Sequence, residues 1–342
     1  MNNGGSKIIG ATFSTDGSIV GVQLQHGFSM FQTSPFRLVA RDDLNTVNSA
    51  CIYKKSALCI LSGAITDDSA PDTTVFIGNI TEQGDWLHRL QIPEPVTELA
   101  LTDASLLVRT AHSLYIFDIH APSSPIHVSR PFLQCSPLAV QIPSRTHTAL
   151  PQYIAYALSE TVGRVLVFDP TPPRPHGVIV LEAHKSPVQT IALGWSGQVA
   201  LMATASQTGT IVRVFALPEG VRVAVCRRGS ASCAILSMAF SPTGSHLCAV
   251  SARGTLHIFE IPSVSARNAD SKVGRTIGEW MQERRDVCGV TLPSLCVGKE
   301  GTSVRWADPH TVCVVSTGGQ LVIYQFDPET SSLALMGIKN LA

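Results

Sequence analysis

The sequence predicts an all-β fold, a single-domain seven-bladed β-propeller of the WD40-like kind. Three observations predict it. Short β-branched runs bounded by Gly, Pro, Ser and Asp recur throughout, long amphipathic helical windows are scarce, and seven of the runs close on an aromatic side chain. The 342 residues carry 44% hydrophobic against 15% charged side chains, enough apolar material for one large packed core and too much for extended disorder.

In chain order the aromatic-closed runs are Phe28-Ser29-Met30-Phe31, Thr74-Val75-Phe76, Leu114-Tyr115-Ile116-Phe117, Val165-Leu166-Val167-Phe168, Val212-Arg213-Val214-Phe215, Leu256-His257-Ile258-Phe259 and Leu321-Val322-Ile323-Tyr324. Their last residues follow one another at 45, 41, 51, 47, 44 and 65 positions. All but the last spacing bracket the roughly 40–45 residues of a four-stranded blade. A lone blade cannot bury its own faces, so the repeat is read as one domain spanning residues 1–342. The tail Ser332–Met336 reads as the outer strand of the last blade.

The long final spacing holds roughly twenty extra residues beyond a blade. They are assigned to Pro262–Arg285, an insertion in the sixth blade with no strand pattern. Val273, Ile277, Trp280 and Met281 fall on one helical face, and the segment carries five cations and three anions. Such a helix either lies in a membrane interface or packs against the flank of the fold; the residues alone leave both open.

Lys+Arg and Asp+Glu are both 25, giving zero formal charge, so binding of nucleic acid by bulk electrostatics is not expected. Anion recognition has to be local. The nine cysteines form no C-x-x-C pair and no Cys/His cluster of zinc spacing, so they read as small buried hydrophobes in a reducing compartment. No metal or other cofactor is expected. The start Met1–Lys7 lacks the apolar core of a signal peptide, and no apolar run approaches the ~20 residues that span a bilayer. The expectation is a cytoplasmic monomer.

Chemistry concentrates at Arg227-Arg228-Gly229, which closes the strand-like run Val221–Cys226. Successive side chains on an extended backbone face opposite ways, so the two guanidiniums serve different neighbours. One flank holds Thr204, Ser206, Gly209 and Thr210, the other Ser251, Gly254 and Thr255. A planar, multidentate cation beside hydroxyls suits a phosphate. Arg213 and His257 stand two residues before their closing aromatics, so each flank has one cationic or titratable side chain at the same repeat position. Taken singly, each hydroxyl reads better as a turn residue satisfying backbone groups. Co-location on consecutive blades favours a site.

His184-Lys185-Ser186-Pro187, the run Ala203–Phe215, Arg227-Arg228-Gly229 and Gly254–Phe259 together resemble the PROPPINs, seven-bladed propellers that bind polyphosphoinositides and include the WIPI proteins of autophagy. The similarity is strongest from about 182 to 260, with a weaker stretch at Gly27–Phe36. The resemblance implies two headgroup sites for phosphatidylinositol 3-phosphate and phosphatidylinositol 3,5-bisphosphate. The first would use His184, Lys185, Thr204, Ser206, Gly209, Thr210, Arg213 and Arg227. The second would use Arg228, Gly229, Ser251, Thr255 and His257. It also implies that the insertion, through Val273, Ile277, Trp280 and Met281, contacts the membrane. The implied protein is a peripheral membrane, phosphoinositide-binding component of autophagy at preautophagosomal and endosomal or vacuolar membranes, recruiting lipid-transfer or conjugation factors. Cys226 stands where the family usually has Phe or Leu, Thr204 replaces a frequent Ser, and Arg253 adds a cation beside the second set.

Two other classes compete. A WD-repeat-like scaffold that binds proteins without lipid explains the fold and leaves the arginines incidental. An enzyme is not expected: the chain has no G-x-S-x-G elbow and no G-x-x-x-x-G-K-[ST] loop, and nothing in the sequence identifies an acid that would orient His257 as a base.

Overall fold

A computed structural model describes residues 8–25, 27–42, 46–52, 58–64, 73–79, 86–102, 104–129, 137–140, 151–158, 161–170, 176–264, 283–293 and 301–341. Contacts group the chain into two compact units. One comprises Met1–Gln134, Val315–Leu321 and Ile338–Ala342, the other Cys135–Val314 and Val322–Gly337.

Every described element is a β-strand or a turn, and five of the sheets are meanders of four sequence-adjacent strands. The first sheet is β1 (Ile8–Phe13), β2 (Ile19–Leu24), β3 (Phe28–Gln32) and β4 (Arg37–Asp42). The second is β5 (Thr46–Ile52), β6 (Leu58–Ala64), β7 (Thr74–Asn79) and β8 (Trp86–Gln91). The third is β9 (Val96–Leu101), β10 (Ser105–Thr110), β11 (Leu114–Asp118) and β12 (Pro125–Ser129). Next come β13 (Leu138–Val140), β14 (Ile154–Ala157), β15 (Gly163–Asp169) and β16 (His176–His184). The following sheet holds β17 (Val188–Ser196), β18 (Val199–Ser206), β19 (Ile211–Leu217) and β20 (Val221–Arg227).

Beyond it lie β21 (Ile235–Phe240), β22 (His246–Ser251) and β23 (Thr255–Glu260). Two short strands follow, β24 (Glu283–Arg285) and β25 (Cys288–Thr291). They go to different sheets: β25 pairs with β23, whereas β24 runs parallel to β20. The chain ends in β26 (Ser303–Trp306), β27 (Thr311–Ser316), β28 (Gln320–Asp327) and β29 (Ser332–Asn340), a sheet whose outer strand comes from the C-terminal segment.

The expected ring of seven alike four-stranded blades is therefore corrected: six sheets have four strands, and the sheet of β17–β20 has five. The reason is the open edge of β20, whose unpaired backbone groups accept the chain as it leaves the 262–285 segment. That segment is not wholly without strand, since its last three residues are β24. Val273, Ile277, Trp280 and Met281 lie outside the described residues.

Each aromatic-closed run is the third strand of its sheet. Phe76, Phe117, Phe168, Phe215, Phe259 and Tyr324 are buried there, and Phe31 is half-buried. In the second unit one apolar layer joins β18–β20 to β21–β23, through Leu201, Val212, Val214 and Cys226 against Ile235, Phe240, Leu247 and Phe259. A second layer sets Trp195, Met202 and Phe215 against Ala155, Val165 and Val167 of β14 and β15. The strands on which the candidate residues sit are thus clamped on both faces. Cys226 is fully buried in the first of these layers, and burial pushes its thiol up to about 12, in keeping with a packing role.

Candidate functional site: two basic clusters flanking β20

Register decides which side chains meet. Arg213 of β19 lies opposite Thr204 of β18 and Val225 of β20, and Ile211 lies opposite Arg227. Cross-strand partners, and residues two apart on one strand, share a sheet face. Arg227, Arg213 and Thr204 therefore occupy the same face. That face meets β16, because Arg213 Nη1 donates to the Ala183 carbonyl at 2.7 Å and to His184 Nδ1 at 3.0 Å.

With Nδ1 accepting from Arg213, the His184 proton sits on Nε2, which donates to the Thr204 carbonyl at 3.1 Å and hydroxyl at 3.0 Å. Burial, then the Arg213 charge, pushes His184 down to about 4, so the ring is neutral near pH 7. Thr204 is fully buried and His184 nearly so. They act on Arg213, holding its guanidinium through neutral acceptors, and among the described residues no carboxylate forms a salt bridge with it. Burial, and then Arg222, lowers Arg213 from its ordinary value, and its Nε hydrogen is buried without a partner.

The hydroxyls expected to line the two clusters are mostly inside the turns. Ser206 is buried, and its hydroxyl meets that of Thr208 at 3.0 Å. The Gly209 amide donates to the Ser206 carbonyl at 2.8 Å, and φ at Gly209 is +57°. A Cβ there would collide with the Cys233 carbonyl oxygen, so the glycine is needed for a close chain approach. Ser251 is buried in an equivalent turn, with Gly254 donating to its carbonyl at 2.8 Å. Lys185 is exposed, and Thr210, Gly229 and Thr255 are half-buried.

Arg228 follows the end of β20, with its amide on the Thr210 carbonyl at 2.9 Å. Its guanidinium faces backbone: Nε donates to Gly209 O at 3.0 Å, and Nη2 to the carbonyls of Ala231 and Cys233. Arg228 thus fixes the 229–234 loop as well as adding charge. His257 of β23 lies opposite Ala249 of β22 and Gly289 of β25. Its Nδ1 is 2.8 Å from Asp286 Oδ2.

The structure thus joins His184, Thr204 and Arg213 in one hydrogen-bonded chain with Arg227 on the same face. It does not bring Ser206 or Ser251 to the surface. Sequence reasoning missed Asp286 and β24. The only signal for either was their position at the end of the long spacing.

A family model described as PROPPIN matches residues 93–283, more than half of the chain. Autophagy-related protein 18 of Emericella nidulans is 29% identical over 273 residues, covering 74% of this chain and 60% of that protein. Autophagy-related protein 18 of Dictyostelium discoideum is 29% identical over 274 residues, covering 79% and 70%. The chain therefore spans about three fifths of the length of the first of these relatives. Among solved structures, Kluyveromyces lactis Hsv2 with a complete loop 6CD aligns with TM-score 0.79 and 19% identity, covering 99% of this chain and 100% of that one. A complex of KlAtg21 with the coiled-coil of AgAtg16 aligns with TM-score 0.75 and 18% identity, over 98% and 100%. At these identities the structural likeness is one of fold.

Proposed function

The chain belongs to the PROPPIN family, and from that premise we propose that it is a phosphoinositide effector of autophagy, not an enzyme. It binds phosphatidylinositol 3-phosphate and phosphatidylinositol 3,5-bisphosphate in two clusters on either side of β20, and docks on membranes peripherally. The observation that carries this reading is the Arg213–Arg227 face, where a guanidinium held by neutral acceptors lies beside a second one by register. Two such cations on one face suit a phosphomonoester.

The first cluster uses Arg213 and Arg227 as phosphate donors, with Lys185 and Thr210 at its edge, while His184, Thr204, Ser206 and Gly209 set the geometry. The second uses Arg228, Thr255 and His257, with Gly229 and Ser251 shaping the turns. One headgroup contact binds weakly; two on one membrane, with Val273, Ile277, Trp280 and Met281 in the acyl boundary, bind firmly through effective concentration. The cytoplasmic protein then recruits autophagy factors to preautophagosomal and endosomal or vacuolar membranes. The similar KlAtg21, solved with the coiled-coil of AgAtg16, makes a coiled-coil the partner class to try first.

Flotation with vesicles containing or lacking 3-phosphorylated inositol lipids tests the reading. Wild type is expected to float only with the lipid, and Arg227→Thr/Arg228→Thr to lose at least roughly thirtyfold in affinity, two charge-assisted contacts being removed. Because Arg228 also holds the 229–234 loop, Arg227→Gln alone is the cleaner arm. Unchanged binding by both variants, or equal wild-type flotation without the lipid, removes the proposal and leaves a protein scaffold.

A further inference from the structure

The loop that follows β20 touches both clusters. On one side the Cys233 amide and the Ser232 hydroxyl donate to the Thr208 carbonyl, at 3.0 and 3.3 Å. On the other the Ala252 amide donates to the Ala234 carbonyl at 2.9 Å, next to the exposed Arg253. Arg228 braces the same loop from within, through the carbonyls of Ala231 and Cys233. Ser230 stands at the bend of this bridge. It is exposed, and its hydroxyl forms no hydrogen bond with another described residue. Gly229, just before it, has open space within 4 Å of where a Cβ would stand.

The chain leading to that hydroxyl reads Arg227-Arg228-Gly229-Ser230. Arginines two and three residues before an acceptor hydroxyl are what a basophilic protein kinase selects by charge, with carboxylates along its substrate groove. Arg228 donates to neutral carbonyls, and a kinase carboxylate in their place forms a stronger, charge-assisted bond. We propose that Ser230 is a phosphorylation site whose phosphate switches off headgroup binding. In the step the γ-phosphoryl group of ATP passes to Ser230 Oγ. The Oγ–P bond forms, the bond from the γ-phosphorus to the ADP oxygen breaks, and the hydroxyl proton goes to a catalytic carboxylate of the kinase. The phosphoserine carries about −1.5 to −2 charge near pH 7. Tethered beside Arg228 on the bridge between the clusters, it engages their cations at high effective concentration and repels an incoming phosphate from both. This rests on the headgroup reading above and adds its regulation.

The test treats the folded full chain with magnesium ATP and the catalytic subunit of cAMP-dependent protein kinase, a basophilic enzyme. Mass spectrometry maps the phosphate, and flotation with vesicles of phosphatidylcholine, with or without phosphatidylinositol 3-phosphate, measures binding. Wild type is expected to take up phosphate on Ser230 and to lose about tenfold or more in affinity for the vesicles bearing the lipid. Phosphatase treatment is expected to restore binding, which separates a switch from damage to the fold. Ser230→Ala, treated alike, is expected to bind within about twofold of untreated wild type, as for an exposed side chain outside both clusters. Absence of phosphate from Ser230 overturns the site. A fully modified chain that binds as untreated wild type does overturns the switch. Either result leaves the headgroup reading standing, whereas untreated wild type without lipid-dependent flotation overturns both.

Discussion

Arg213 and His257 occupy the same place in consecutive sheets, and their surroundings differ. Each sits on a third strand opposite the residue two before a buried serine: Arg213 opposite Thr204 ahead of Ser206, His257 opposite Ala249 ahead of Ser251. Arg213 is held by a carbonyl and a neutral imidazole, whereas His257 faces the Asp286 carboxylate. The fold repeats the position, and the local partner decides its charge. Among the described residues Arg213, in the cluster before β20, meets no carboxylate; the cluster after it carries its own counter-charge. Most of the anion affinity should therefore lie in the first. Arg213→Gln is expected to weaken binding to vesicles bearing phosphatidylinositol 3-phosphate by about tenfold or more, and His257→Gln by less than about threefold. Surface plasmon resonance on supported bilayers measures both, and equal losses would break the comparison.

The counter-charge can be removed separately. Asp286→Asn keeps the shape beside His257 and deletes a negative charge from the second cluster. At a partly exposed site such a change is worth roughly 0.5–1 kcal/mol toward an incoming anion, so affinity for the same bilayers should rise about two- to fivefold. Raised salt should shrink the gain, since exposed charges are screened. A fall in affinity would instead make Asp286 the residue that aims His257 at the ligand, and the comparison by charge would fail.

The repeat was legible because its signal is local. A third strand carries an apolar run that closes on a large aromatic, as in Val212–Phe215 and Leu256–Phe259, and those aromatics are buried in the sheet layers. β24 was not legible. Glu-Arg-Arg has no apolar alternation, and its strand character comes wholly from the edge of β20, more than fifty residues earlier in the chain. The hydroxyls were legible but say less about ligands than their co-location implies. Ser206, Ser251 and Ser316 all end second strands, and each accepts the amide of a glycine three residues on, with positive φ at Gly209, Gly254 and Gly319. Ser-x-x-Gly is thus turn chemistry of the fold, present also in the last sheet, where no site is proposed. At the same turn of the third sheet the polar groups hold an anion of the protein itself: the Glu94 carboxylate accepts from Thr110 at 2.9 Å and Ser113 at 3.3 Å, and lies 3.2 Å from His112 Nδ1. What distinguishes the turns beside β20 is the cations that surround them.

His184 offers the smallest and most specific check, because the charge assigned to Arg213 depends on that ring staying neutral. Its folded pKa of about 4 lies below the ordinary 6.5, so the unfolded chain binds a proton that the folded one refuses between those values. The contribution to stability is complete above pH 6.5 and is lost as pH falls toward 4, by roughly 3 kcal/mol at most. Urea midpoints from pH 7 to 4.5 should fall for wild type and fall less steeply for His184→Gln, whose amide can still accept from Arg213 and donate to Thr204. The variant should be the less stable protein at pH 7 and close the gap near pH 5. Parallel slopes would mean that His184 takes up its proton in the folded state. Nδ1 would then carry hydrogen, the contact with Arg213 would be two donors facing each other, and the guanidinium would have to turn away from β16. In that case the first cluster would lose the anchor that sets it apart from the second.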